Sequence, residues 1–377
     1  MWPFGGQRRI GRNDASFLDR NFFSIERHPG HFIPNQFVIM KVILKNPSME
    51  NPAAGVVVED GDASQVTLGP GQVKVGIVLR PINPADIFSL MAVYPGFNAS
   101  APDAVPGLEG VGVVLESASE KVPKGAKVIG RPFTSVEGGQ GTWQSEIVAS
   151  EDDVFVIPPE AGLDDTTLAQ FYVNPVTAYG MIADLDIPKG EYLLQTGAGS
   201  VLGRQVIQMA KNKGIKTINV VRREALVAEL KALDADAEVI VAETAEAIAE
   251  QVGKITGGKG AYGAIECVGG EVTKGVVSSV RNNGIVFLYG AMGGLEISAG
   301  IPDILFRGVT VKGWWLVNYM GGKTVAQKDE VCAEILKLMS DGVVTPYSGK
   351  VFQLADVQAA IGEATKAARG GKVFLRS

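Results

Sequence analysis

Two rhythms of apolar and polar positions divide the chain. Between Phe37 and about Val156, short runs broken by Gly and Pro alternate at period two, as in Phe37–Leu44 (Phe-Val-Ile-Met-Lys-Val-Ile-Leu) and Gln72–Leu79 (Gln-Val-Lys-Val-Gly-Ile-Val-Leu). Period two puts successive side chains on opposite faces of a strand, so this part is expected to be mostly β. From about Tyr192 the rhythm becomes strand and helix in turn. Strands are expected at Tyr192–Gln195, Thr217–Val221, Glu238–Val241, Ala264–Val268 and Ile285–Tyr289, and helices at Val201–Lys213, Glu224–Leu233 and Glu246–Ile255. Such alternation specifies a parallel, doubly wound sheet. Beyond Val311 the regularity is lost. A helix around Glu330–Met339, with Val331, Ile335, Leu336 and Met339 at helical spacing, precedes Pro346, the pair Val351-Phe352 and a closing strand Gly371–Leu375. This tail is expected to return to the first, β-rich part.

Composition narrows the class. The 377 residues suit two domains at roughly 100 to 200 residues each. A formal charge of −6 speaks against nucleic acid, which selects a basic face. No apolar run approaches the ~18 residues of a membrane span, so stable membrane insertion is not expected. Cys267 and Cys332 stand far apart without a CxxC spacing, which argues against a disulfide framework or a zinc cage. The first 36 residues carry Arg8, Arg9, Arg12, Arg20 and Arg27 among Phe17, Leu18, Phe22, Phe23 and Ile25. Arginine-rich amphipathic composition reads as an organelle targeting segment; Asp14, Asp19 and Glu26 read equally as a surface arm. The first reading places the protein in mitochondria, the second in the cytoplasm.

The strand Leu193-Leu194-Gln195-Thr196 runs into Gly197-Ala198-Gly199-Ser200-Val201-Leu202-Gly203 and then into a helix with apolar Leu202, Val206, Met209 and Ala210 on one face. Strand, glycine turn and helix N-terminus together form a dinucleotide pyrophosphate site, because free backbone N–H groups and the helix dipole face the anion. The spacing departs from GxGxxG, since the last glycine falls one position late and Leu202 stands in its place. The next strand ends at Arg222-Arg223. An acid near this place holds the ribose 2′-OH of NAD, whereas arginine accommodates a 2′-phosphate, so NADPH is the expected cofactor. Arginines that merely open a solvated helix are the plainer reading.

With these pieces placed, the span from Phe37 to Leu375 resembles the medium-chain dehydrogenase/reductase superfamily. Asn174-Pro175-Val176-Thr177-Ala178-Tyr179 is similar to its entry into the cofactor domain, and Pro106-Gly107-Leu108-Glu109-Gly110-Val111-Gly112 to the strand motif in which alcohol dehydrogenases carry a zinc-binding His before the Glu. Here Leu108 occupies that place, the cysteine ligand expected before the Asn83-Pro84-Ala85-Asp86 helix start is absent, and the only histidines are His28 and His31. Since a catalytic zinc needs about three such ligands, no metal site is expected. Pro81–Ile87 followed by Tyr94-Pro95-Gly96, then Gly141-Thr142-Trp143-Gln144, Ser200, and Thr217–Arg222 resemble the zinc-free mitochondrial trans-2-enoyl-thioester reductases, with quinone oxidoreductases next.

That resemblance implies a GroES-like β-rich substrate domain (37–172 and 314–377) around a Rossmann NADPH-binding domain (173–313). It implies Tyr94 as the catalytic acid beside the nicotinamide and substrate double bond, with Asn83 and Trp143 on the substrate side. Cofactor contacts are expected from Asn174, Gly197–Gly203, Arg222, Arg223, Tyr289, Trp314, Trp315, Leu316 and Lys372. Each has a plainer reading: Tyr94 in a loop-packing turn, Asn83 as a turn starter, Trp143 in the core, Asn174 as a helix N-cap, Lys372 as a solvated strand end. The implied reaction is reduction of an enoyl-CoA or enoyl-carrier-protein double bond by a homodimer. The alternatives are an NADPH:quinone or enone reductase without the Tyr94 proton step, and a non-catalytic member serving as a structural or complex subunit, since fold does not settle function.

Overall fold

The computed structural model describes residues 39–61, 66–131 and 133–377, so the segment 1–36 and the first two residues of the strand expected at Phe37 lie outside the described residues. β1 (Ile39–Leu44) pairs antiparallel with β2 (Val56–Gly61) in a small sheet. β3 (Gln72–Pro81) buries Val73, Val75, Ile77 and Leu79, every second residue, as its alternation requires. After α1 (Pro84–Leu90) come β4 (Val111–Ser117), β5 (Lys127–Gly130), β6 (Glu146–Ser150), β7 (Val154–Val156) and α2 (Asp165–Ala169).

From α3 (Val173–Leu185) strands and helices alternate: β8 (Tyr192–Gln195), α4 (Val201–Asn212), β9 (Lys216–Val221), α5 (Leu226–Leu233), β10 (Glu238–Val241), α6 (Ala245–Thr256), β11 (Ala261–Glu266), α7 (Gly270–Ser279), β12 (Val280–Leu288), α8 (Ile301–Leu305) and β13 (Thr310–Gly313). These strands form one parallel sheet in the order β10-β9-β8-β11-β12-β13. The order reverses between β8 and β11, and a doubly wound sheet opens its ligand crevice at the carboxyl ends of the strands beside that reversal. The chain then passes α9 (Leu316–Gly321), α10 (Val325–Ser340), β14 (Ser348–Gln353), α11 (Val357–Ala364) and β15 (Lys372–Arg376). β14 and β15 extend the first large sheet, ordered β14-β15-β3-β4-β5-β7 with β6 also on β3. The tail thus returns to the β-rich part.

Several boundaries differ from those read off the pattern, each for a local reason. β11 stops at Glu266 because the carboxylate of that residue takes the N–H groups of Val268 and Gly269, turning the chain two residues early. β12 begins at Val280 because it carries a bulge: Ala261 pairs with Val280 and Gly263 with Ile285, leaving extra residues on β12 with Asn283 at φ 56°. α10 starts at Val325 under a Thr324/Gln327 capping box, ahead of the apolar repeat. α7 escaped the apolar pattern; it is rich in small residues, and a Cβ on Gly275 would stand 2.7 Å from the Ala245 backbone, so α6 and α7 touch closely.

One buried cation ties the tail to the first sheet. Arg80, at the end of β3, is fully buried. Its Nε donates to Thr142 O at 2.8 Å, its Nη2 to Gln144 O and Ser377 Oγ at 2.6 and 2.7 Å, and its Nη1 to Leu375 O at 3.4 Å. Burial alone pushes the guanidinium down to about 9. Bonds from a charged donor each contribute about 1.5–3 kcal/mol, and orphaned buried carbonyls add a penalty. Replacing Arg80 with Met is therefore expected to lower the unfolding free energy by about 3 kcal/mol or more, read as a lower denaturant midpoint at unchanged slope.

Candidate active site

The glycine turn lies at the carboxyl end of β8, next to the strand-order reversal. Gly197 takes φ 61°, and a Cβ there would stand 2.7 Å from Cys267 Sγ. Ser200 caps α4, its Oγ accepting from Gly203 N at 3.0 Å, so the N–H groups of Val201 and Leu202 in the first turn remain for an anion. A Cβ on Gly203 would meet the Ala198 backbone at 2.6 Å. The late glycine, out of step with the usual spacing, therefore still does the work of pressing the helix onto the turn. Ala198 N donates to Val220 O at 3.4 Å, and Gly199 lies against Leu226. Arg222 and Arg223, exposed between those two contacts, are thereby brought beside the turn. Small residues at the close approaches, a free helix N-terminus and two adjacent cations fit a dinucleotide with a phosphorylated ribose.

Beneath the turn is a polar network that the apolar pattern did not disclose. Gln195, fully buried on β8, donates to Gly203 O at 3.0 Å and to Asn219 Oδ1 at 2.6 Å. Glu266, fully buried at the end of β11, accepts from Val268 N, Gly269 N, Thr273 Oγ1 and Thr196 Oγ1. Thr196 Oγ1 in turn accepts from Cys267 N. Burial raises the Cys267 thiol to about 11, with Tyr289 against it, so this cysteine stays protonated. A lone acid closing the apolar run Ala264-Ile265 was the available signal, since a buried carboxylate requires donors.

A second group forms around α1. The ring of Tyr94 is half-buried and meets Trp315 edge to face, with centroids 6.0 Å apart, and Trp315 Nε1 donates to Tyr94 Oη at 3.2 Å. A Cβ on Gly96 would stand 2.8 Å from the Tyr94 ring, so the glycine makes room for it. Burial holds the phenol above its usual value, against the lowering effect of the Trp315 N–H and with the nearby Asp86 adding to the rise.

Asn83 is fully enclosed. Its Nδ2 donates to Glu109 Oε1 at 2.8 Å and its Oδ1 accepts from Lys372 Nζ at 2.6 Å. Glu109 Oε2 accepts the backbone N–H groups of Tyr172 and Val173 at 3.0 and 2.9 Å, and Asp86 accepts those of Asn83 and Leu108 at 2.6 and 3.0 Å. Desolvation pushes Asp86 up to about 7, raises Glu109, and brings Lys372 down to about 8. Lys372 is thus no solvated strand end, and Asn83 is more than a turn starter.

The remaining expected residues are spread around these two groups. Asn174 is buried inside α3, whose N-cap position is held by Tyr172, so it is not a helix cap. Trp143 is wholly buried against Gly107 in the core of the first sheet. Trp314 turns toward α3, its Nε1 donating to Asp184 Oδ2 at 2.7 Å, away from its neighbour Trp315. Leu316 and Tyr289 pack on the core between the sheets. Among the described residues, no three His, Cys, Asp or Glu gather as metal ligands.

Residues 69–159 match the alcohol dehydrogenase GroES-like domain, and residues 201–339 match a family described as zinc-binding dehydrogenase. The mitochondrial enoyl-[acyl-carrier-protein] reductase of Caenorhabditis elegans is 35% identical over 281 residues, 72% of this chain and 77% of the relative. Among solved structures, a Bacillus thuringiensis chain described as an NADPH:quinone reductase superposes with TM-score 0.78 at 28% identity, covering 90% of this chain and 99% of that one. A mitochondrial 2-enoyl thioester reductase heterodimer of Candida tropicalis gives TM-score 0.76 at 25% identity, covering 90% and 100%. With an enoyl-reductase relative at this identity over three quarters of its length, and with the GroES-like and Rossmann sheets both in place, the chain belongs to the mitochondrial enoyl-[acyl-carrier-protein] reductase family of the medium-chain dehydrogenase/reductase superfamily.

Proposed function

We propose that this protein reduces the double bond of trans-2-enoyl thioesters, carried by CoA or by an acyl carrier protein, at the expense of NADPH. The observation that carries the reading is the half-buried Tyr94 hydroxyl held by Trp315 Nε1. When bound, NADPH would supply the hydride for the β-carbon of the conjugated thioester. The first turn of α4 would hold its pyrophosphate, and Arg222 and Arg223 its 2′-phosphate. Because the Tyr94 oxygen accepts from Trp315, its own hydrogen remains free to point at substrate. A phenol raised above its ordinary value stays protonated throughout the neutral range, so it bonds the thioester oxygen as negative charge grows there and gives its proton toward the α-carbon. Asn83, fixed by Lys372 and Glu109, anchors the start of α1, the helix whose far end leads into Tyr94.

The relatives' names place them in mitochondria, and the arginine-rich first 36 residues agree with that address for this chain. The partner is a second copy. Among the described residues β13 pairs only with β12, at the edge of the sheet, and in the segment that leads into it Leu295, Ile301, Leu305 and Phe306 are 66% to 79% exposed. An open edge flanked by apolar surface is the kind of face a two-fold partner covers.

The quinone reductase reading, favoured by the Bacillus thuringiensis structure, uses the same hydride donor without a proton from Tyr94. Changing Tyr94 to Phe is expected to lower kcat on a short enoyl-CoA by about 10²-fold or more with little change in KM, measured as loss of NADPH absorbance; undiminished turnover would sink the proposed role. Loss of both Arg222 and Arg223 to Ala is expected to raise KM for NADPH at least tenfold, about 1.4 kcal/mol, and to leave KM for NADH nearly unchanged. Size-exclusion with light scattering should give twice the chain mass, and Phe306→Lys should shift it toward the single-chain value.

A further inference from the structure

The parallel sheet has a second concavity, at its opposite end. A cavity of about 510 Å³ opens where β11 and β12 begin and α6 and α7 end. The strands run parallel, so this lies at the amino ends of the strands, about 20 Å from the glycine turn by the rise of a six-residue strand. Lys259, Arg281 and Arg307 line it, with Ser278 and Asn282, and none of the lining residues is acidic.

One of these cations is accounted for by the fold. Arg307 pairs with Asp303 at 2.7 Å and donates to the carbonyls of Ser278 and Val280, closing the carboxyl end of α7. The other two are not. The Arg281 guanidinium carbon stands over the Tyr262 ring, 3.3 Å from its centroid, with Nε buried and lacking an acceptor. Lys259 is exposed, and no ion pair engages either residue among the described residues.

The backbone is shaped to make this arrangement. Arg281 stands in the β12 bulge, followed by Asn283 at φ 56°. Gly258 and Gly260 take φ 80° and 78°, and a Cβ on Gly260 would meet Val280 C at 2.7 Å and Arg281 N at 2.8 Å. A bulge re-aims a side chain at the expense of ladder bonds. Here it sets Arg281 against an aromatic face at the wall of the cavity, and a guanidinium suits an oxygen-rich anion such as phosphate.

We infer that this cavity is a binding site for a phosphate or diphosphate group, separate from the cofactor turn, with Arg281 and Lys259 as its ligands. The test is the thermal midpoint of the full-length protein, saturated with NADP⁺ so that the glycine turn is filled, titrated with inorganic phosphate and with pyrophosphate against sodium chloride at equal ionic strength. A saturable rise is expected with the phosphates and not with chloride. Tighter binding of pyrophosphate identifies a diphosphate, and equal binding a single phosphate. The apparent Kd should increase at least tenfold in Arg281→Gln and in Lys259→Gln. Lys259 is exposed, so its variant keeps the test valid even if removing Arg281 from Tyr262 unfolds the bulge. Equal shifts from chloride, or an unchanged Kd in Lys259→Gln, would overturn the inference.

Discussion

Burying the Glu109 carboxylate is the constraint on which the organisation of this molecule turns. An unpaired carboxylate in the interior is prohibitively costly, and Glu109 meets that demand with donors from two distant parts of the chain, one of them held in turn by a third. One oxygen takes the N–H groups of Tyr172 and Val173, which open α3. The other takes Asn83, which opens α1 and is itself gripped by Lys372 of β15. Satisfying one side chain thus fixes where the chain leaves the first sheet, where it enters the parallel sheet, and where its tail comes back.

Glu266 repeats the device in the parallel sheet. Its carboxylate takes the N–H groups of Val268 and Gly269 just before α7, together with the hydroxyls of Thr196 and Thr273. In each case an acid at the border of a strand captures the free amides ahead of a helix, where the dipole also favours negative charge. Through Thr196 the second network supports the glycine turn from below, so that backbone amides point outward along a rigid floor. The proposed reaction gains from this rigidity, because donors already in place need no reorganisation as charge develops.

Tyr94 depends on a different physical effect. It sits where burial keeps the phenol protonated, and the indole of Trp315, which comes from the segment after β13, occupies its oxygen as a donor. Tyr94 and Trp315 are 221 positions apart, and their contact joins the turn after α1 to the exit of the parallel sheet. Trp314 faces the other way, onto Asp184, so two adjacent tryptophans serve opposite surfaces.

Alternating polarity along β3, the helical repeats of α4 and α6, the glycine turn and Arg222-Arg223 were all legible in the sequence, because each is a property of neighbouring residues and their local geometry. The two-part architecture and the return of the tail followed from the same rhythms. What the tertiary structure alone decided are the places where distant polar groups meet: the burial of Lys372, which lies 289 positions from Asn83, the enclosure of Trp143, the division of labour between Trp314 and Trp315, and the bulge that lays Arg281 on Tyr262. These arise from pairing buried charges and donors across long loops, a demand that the sequence states at Glu109 and Glu266 but whose partners only the folded chain supplies.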